Sequence, residues 1–271
     1  MKTSVSLSVF PAKKGMPVLF SEATEENVAK IASLGYDGVD LFVDDPHSQA
    51  SQEALARLKA HKLGVGVVMP AALAGQGLFL GDKDPAVRAE CIRRIGEIIA
   101  YTAKAGGMVS LGLVRGNQSD DETLEAFYTR YTDSCAKLLE IAKPLGVDLL
   151  IEPINRYEIN TINSVCECLD YIKQSGLELY IMADTFHMNI EDTSIGGMLQ
   201  ESFSLIKHIH FLDSNRLAPS MGHLDMAQYY RLLHALGYKG YLCLEALPKP
   251  TTEICAQEGS AFFKHMKETC A

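Results

Sequence analysis

The stretch AKPLGVDLLIEPINRYE, residues 142–158, decides the fold. It closes a helical pattern, turns on Gly146, runs through the apolar strand Val147–Ile151 and delivers Glu152 at the strand's end. Both faces of that strand are apolar, as a parallel sheet covered by helices requires. The same order of helix end, glycine and strand recurs in SLGYDGVDLFV (33–43), HKLGVGVVM (61–69), AGGMVSLGLV (105–114) and ALGYKGYLCLE (235–245). Left-handed helix caps are expected at Gly35, Gly64, Gly106, Gly146, Gly176 and Gly237, because glycine adopts that conformation without a Cβ clash.

Outward from these segments the chain alternates regularly. Strands are predicted at 5–9, 38–43, 64–69, 108–114, 147–152, 179–184, 208–212 and 241–245. Helices are predicted at 24–34, 50–61, 85–105, 121–143, 164–175, 194–205, 226–236 and 258–268. Thr24-Glu-Glu, Asp84-Pro85 and Ser119-Asp120-Asp121 supply opening signals. Alternating strands and helices allow an open doubly wound sheet or a closed barrel. Eight units favour the barrel, and no strand is followed by a glycine-rich phosphate loop of the kind a dinucleotide fold uses. The expectation is one (β/α)8 barrel over residues 1–271, since such a barrel takes about 250 residues.

Composition narrows the function. Lys and Arg number 25 against 34 Asp and Glu, a formal net charge of −9. A surface of that sign repels a phosphate backbone, so nonspecific nucleic-acid binding is disfavoured. The N-terminal run MKTSVSLSVF is too short and Ser-rich for a signal peptide and reads as the first strand. No segment approaches the roughly 18 apolar residues of a membrane span. Seven cysteines lie scattered without a CxxC, and Cys166 and Cys168 point in different directions on a helix. That usage suits reduced thiols and a cytoplasmic protein.

Barrel active sites form where the strands end. The last four strands end in LLIEP with Glu152, IMADTFH with Asp184, HIHFLDSNR with His210 and LCLEA with Glu245. An ionisable group at the end of an apolar run costs several kcal/mol to bury without compensation. Three carboxylates packed together repel one another, and a divalent cation is the simplest remedy. Three oxygens and one imidazole suit Mn²⁺, Mg²⁺ or Co²⁺ better than a thiolate-rich zinc site would. Glu158, His187 and Arg216 follow these strand ends in the same loops and offer hydrogen bonds to a hydroxylated ligand. His208 shares a strand face with His210 one layer deeper, and reads either as a core histidine or as one lying behind the site.

IEPINRYE (151–158), ADTFHMNIE (183–191) and HFLDSNR (210–216), with LE closing the last strand, resemble the ketose 3-epimerases of the xylose isomerase-like barrel superfamily. GLVRG (112–116) and DSNRLAPSMGH (213–223) resemble a branch acting on keto-sugar acids. The resemblance implies a sugar epimerase acting at C3, with one metal, usually manganese, on Glu152, Asp184, His210 and Glu245. It implies Glu152 and Glu245 as the acid/base pair, substrate oxygens held by Glu158, His187 and Arg216, and a homodimer or tetramer. Such chemistry is reasonable: a proton leaves a carbon beside a ketone, an enediolate forms, and a second carboxylate reprotonates the opposite face.

Arg115, at the predicted end of the fourth strand, has no expected counterpart in epimerases of neutral ketoses. A guanidinium there is expected either to pair with an acidic end group of the substrate or to pair at the rim with a carboxylate of the protein, with His223 a further pocket candidate. Rival readings are an aldose–ketose or hydroxypyruvate isomerase on the same site, a keto-inositol dehydratase, and an inactive sugar-binding barrel. A phosphodiesterase of the endonuclease IV kind would need more histidines at strand ends and a basic face.

Overall fold

The computed structural model describes residues 1–270. Eight strands, β1 (Lys2–Ser8), β2 (Gly38–Phe42), β3 (Gly64–Met69), β4 (Met108–Ser110), β5 (Leu149–Ile151), β6 (Tyr180–Asp184), β7 (Ile206–His210) and β8 (Tyr241–Leu244), close in sequence order into a parallel barrel. Closure pairs β1 with β8, from Lys2 opposite Tyr241 to Val5 opposite Leu244. Around it run α1 (Glu25–Ser33), α2 (Gln49–Ala60), α3 (Pro85–Ala105), α4 (Leu124–Ala142), α5 (Val165–Ser175), α6 (Thr185–Glu191), α7 (Ile195–Glu201), α8 (Met226–Ala235) and α9 (Thr252–Thr269).

Period-two alternation divides each strand. Leu41, Val68, Leu149, Ile181 and Ile209 join the large core under the helices. Phe42, Val67, Met69, Leu150 and Met182 form a separate small cluster with Val18, within the barrel. On the side of β1, β2, β7 and β8 the same alternation brings Ser4, Asp40, His208 and Cys243 to the interior, all buried. The interior is thus half apolar and half polar, and the polar half lies under the last strands' ends.

Local signals act largely as expected. Thr24 accepts from the Asn27 amide and Asp84 from the Ala86 amide, capping α1 and α3. Gly35, Gly106, Gly146, Gly176 and Gly237 have positive φ. Gly64 does not: Lys62, with φ 59, takes the left-handed position there. Gly64 is small for another reason, since a Cβ on it would lie 2.3 Å from the Tyr241 hydroxyl. Helix α4 opens later than expected, capped by Thr123, while Ser119 spends its hydroxyl on Glu122. The fourth strand stops at Ser110, and Leu113–Arg115 forms a 3₁₀ turn instead of continuing the strand. Helix α6 has no counterpart among the helices predicted from the sequence. It starts because Asp184 turns its carboxylate onto the amides of Phe186 and His187.

Candidate active site

Four buried side chains converge over the barrel mouth. Asp184 and His210 are the last residues of β6 and β7, paired in register; Glu152 and Glu245 follow β5 and β8 by one residue. His210 Nδ1 lies 3.3 Å from Glu152 Oε1, 3.6 Å from Asp184 Oδ2 and 3.5 Å from Glu245 Oε2. One donor atom from each of the four lies within 4.8 Å of the others.

Two of these atoms, Asp184 Oδ2 and His210 Nδ1, are buried without a hydrogen-bond partner. Orphaned polar atoms of that kind are costly, and both face one point. Neighbouring donors on an octahedral cation with bonds of about 2.1 Å stand about 3 Å apart, close to the separations here. Three carboxylate oxygens and one imidazole therefore fit a hard divalent cation.

The charges titrate apart. Burial pushes the Glu245 carboxyl up, and Glu152 and Asp184 add to it; His210 and Arg216 oppose, leaving it at about 8. Burial also raises Asp184, but His187, His210 and Arg216 outweigh it and hold the carboxyl well below its usual range. Burial lowers the imidazolium of His210, yet Glu245 and the other surrounding carboxylates carry its pKa well above the ordinary value.

The next residues out are tied to these. Arg216 Nη2 donates to Glu245 Oε2 at 3.2 Å and Nη1 to Glu158 Oε1 at 2.8 Å. Its guanidinium lies 5.1 Å from the Phe186 ring centroid, and its backbone adopts φ 59, strained for a non-glycine residue. The turn is held by Asp213, whose buried carboxylate accepts from the amides of Ser214, Ser220 and Leu224. Gly222 makes room for it, since a Cβ there would lie 2.2 Å from Asp213 Oδ1. The Asn155 backbone amide and side-chain amide both reach His187 Nδ1, at 3.4 and 2.7 Å. A backbone N–H can only donate, so Nδ1 accepts and Nε2 carries the proton. Asn155 Nδ2 also donates to Glu158 Oε1 at 3.0 Å.

A cavity of about 390 Å³ opens over the cluster, lined by Glu152, Glu158, His187, Arg216 and Glu245 on the β5–β8 side. The opposite wall, from β1 to the 3₁₀ turn after β4, is largely apolar: Phe10, Met16, Phe42, Met69, Pro70, Ala71, Leu113 and Val114, with Lys13, Asp44 and Gln76 among them.

Two expected pocket residues are elsewhere. Arg115 is fully buried and does not line the cavity. Its Nη1 donates to the Glu152 carbonyl, Nη2 to the carbonyls of Thr161 and Ile162, and Nε to the Thr161 hydroxyl. The 3₁₀ turn swings the side chain under the β5 loop, so it braces that loop instead of meeting a substrate's acidic group. His223 is exposed, bonded through Nδ1 to Ser214 at 2.9 Å, and is not part of the cavity wall. Asp40, Asn155 and Asp213 were missed. Asp40 carried the one available signal, an acid in the middle of the apolar run GVDLFV.

Fold and site together define a class. Residues 28–266 match the family described as Xylose isomerase-like TIM barrel, and the chain belongs to it. L-ribulose 3-epimerase from Mesorhizobium japonicum is 29% identical over 246 residues, 89% of this chain and 82% of that one. 3-dehydro-D-guloside 4-epimerase from Escherichia coli is 26% identical over 235 residues, 83% and 88% of the two chains. A solved L-ribulose 3-epimerase superposes with a TM-score of 0.83 at 26% identity, covering 100% of this chain and 96% of that chain. The relatives are epimerases, so the likeness to ketose 3-epimerases read from the motifs holds. No helix among the described residues is long and apolar enough to cross a membrane.

Proposed function

We propose that this chain is a divalent-metal-dependent sugar epimerase that inverts a carbon next to a ketone, with Glu152 and Glu245 as its acid/base pair. The observation that carries it is the convergence of Glu152, Asp184, His210 and Glu245, with two orphaned buried atoms aimed at one point. A cation held there, by preference Mn²⁺, supplies a Lewis acid for adjacent substrate oxygens.

The chain's own groups do the rest. Glu152 follows β5 and Glu245 follows β8, with β6 and β7 between them, so the two carboxylates flank whatever lies over His210. One removes the proton from the carbon beside the ketone, giving an enediolate, and the other returns a proton to the opposite face. Arg216 holds Glu245 by a charged hydrogen bond and so fixes its aim. His187, its Nδ1 engaged by Asn155, presents Nε2–H to a substrate oxygen. Glu158, locked between Asn155 and Arg216, accepts from a hydroxyl.

The substrate is read as neutral. Arg115 is spent on backbone carbonyls and Arg216 is engaged by Glu158 and Glu245. Among the lining cations that leaves Lys13 alone to meet an acidic end group. The apolar wall favours a second reading within the same chemistry: a 3-keto glycoside inverted at C4, whose substituent would cover Phe10, Met16 and Met69. Both readings invert a carbon beside a ketone.

A panel of free ketoses and 3-keto glycosides incubated with Mn²⁺ and enzyme in D₂O tests this. A new epimer with deuterium at the inverted carbon is the expected result. Aldose formation would replace the proposal with an isomerase, and no exchange on any sugar would leave a binding barrel. A cytoplasmic location and a homodimer or homotetramer belong to the same proposal.

A further inference from the structure

Beneath the candidate metal site lies a second buried cluster that the proposed reaction does not use. Asp40 sits at the centre of β2 with no exposed surface. Its Oδ2 lies 3.2 Å from His210 Nε2 and 2.6 Å from His208 Nε2, and its Oδ1 accepts from the Ser4 hydroxyl at 3.2 Å. Gly66 on β3 leaves the room, since a Cβ there would stand 2.6 Å from Asp40 Oδ1 and 2.9 Å from His208 Cε1.

Asp40, His208, His210 and Cys243 have metal-ligating chemistry, but the spacing argues against a second cation. Two donors of a tetrahedral ion with bonds of about 2.1 Å stand about 3.4 Å apart; His208 Nε2 and Asp40 Oδ2 are already at hydrogen-bond separation.

We propose that Asp40 is the positioning residue of the metal site: it accepts the Nε2–H of His210 and thereby keeps the Nδ1 lone pair turned toward Glu152, Asp184 and Glu245. An ionised carboxylate can only accept, so the imidazole must carry its proton on the Asp40 side. Without that acceptor the ring is free to choose the other tautomer, whose Nδ1–H points at the cation and blocks the fourth ligand. A carboxylate behind the imidazole also raises its basicity as a ligand. His208, edge-on to His210 with ring centroids 5.5 Å apart, flanks Asp40 on the other side, its Nε2 2.6 Å from Asp40 Oδ2. The proposal rests on the reading of Glu152, Asp184, His210 and Glu245 as metal ligands.

Mn²⁺ titrations of wild type, Asp40→Asn and Asp133→Asn at one pH provide the test. Asp133 is exposed on α4, paired with Lys137 at 2.7 Å and not part of the cavity wall, so it controls for the loss of one negative charge. The expected result is Mn²⁺ binding about 10–100-fold weaker in Asp40→Asn, near-wild-type binding in Asp133→Asn, and an unchanged KM for sugar in both at saturating metal. Asp40→Asn binding like wild type, or both variants losing affinity equally, overturns the positioning role. Wild type that binds no Mn²⁺ sinks the metal reading itself, a distinct failure.

Should Asp40→Asn not fold, the wild type and Ser4→Ala suffice. In the Mg²⁺ form with ¹⁵N-labelled histidine, His210 must show a proton on Nε2, shifted downfield by a carboxylate acceptor. Ser4→Ala, which frees one oxygen of Asp40, should move that resonance. A His210 protonated on Nδ1, or a resonance indifferent to Ser4, overturns the assignment.

Discussion

Arg115 shows how far a single residue can be read from its neighbours in sequence. GLVRG placed a guanidinium at the rim of a barrel, which was right for the backbone and wrong for the side chain. Its charge is not wasted, because four hydrogen bonds join the 3₁₀ turn to the segment between Glu152 and Ile162. Arg115→Met should therefore act on stability. Several carbonyls lose their donor, at about 1–3 kcal/mol for an unsatisfied buried group, and melting should fall by several degrees. Because the loop carries Glu158, KM should rise for charged and neutral sugars alike; a selective rise for acids would restore the counter-ion role. Glu245 is different, for it touches the reacting carbon in the proposed chemistry. Glu245→Gln and Glu152→Gln should each lower kcat on the order of 10²–10⁴-fold while the barrel still melts near the wild-type temperature. Either variant retaining wild-type turnover removes that residue from the pair.

At the scale of elements, the strands were legible and their continuations were not. Alternating apolar runs gave β1 to β8 in order, and an acid or histidine at the end of each of the last four pointed to residues that the fold brings within 4.8 Å of one another. The loops obey other rules. Asp184 is both a ligand candidate and the cap of α6, a double role that period analysis cannot separate. Asp213 works only in three dimensions, collecting three amides from residues up to eleven positions away. Gly112, two residues past β4, is another such case: a Cβ there would lie 2.6 Å from Glu152 Oε2 and 3.3 Å from Glu152 Cβ. Gly112→Ala should push Glu152 aside and lower kcat by as much as about 100-fold, the scale of a 1 Å misplacement. Gly75→Ala, whose Cβ would meet nothing within 4 Å, is the matched control and should leave kcat unchanged. Equal effects in the two would point to loop stiffness instead.

Over the whole molecule, the net charge of −9 disfavours nonspecific binding to a phosphate backbone but says nothing of the charge concentrated inside. Asp40, Glu152, Asp184 and Glu245 are all buried around His210 and His208, which couples the stability of the barrel to metal and to protons. Without a cation, His210 has a pKa well above its ordinary value. A raised histidine stabilises fully below its unfolded value near 6.5 and loses that contribution as pH rises through the folded value. Glu245 has the same sign: raised to about 8, it favours the folded state at low pH and loses the benefit as it ionises. The metal-free protein should therefore melt progressively lower as pH climbs from about 6.5 through 8. Binding a cation reverses the trend, because the cation replaces those protons as the neutralising charge and its affinity grows as they leave. Melting curves from pH 6 to 9, with chelator and with excess Mn²⁺, should diverge as pH increases, and Mn²⁺ binding near neutral pH should release protons into the buffer. Parallel curves with no proton release would show that the buried acids are neutralised from within the protein, and that the cluster at the barrel mouth has no need of a metal.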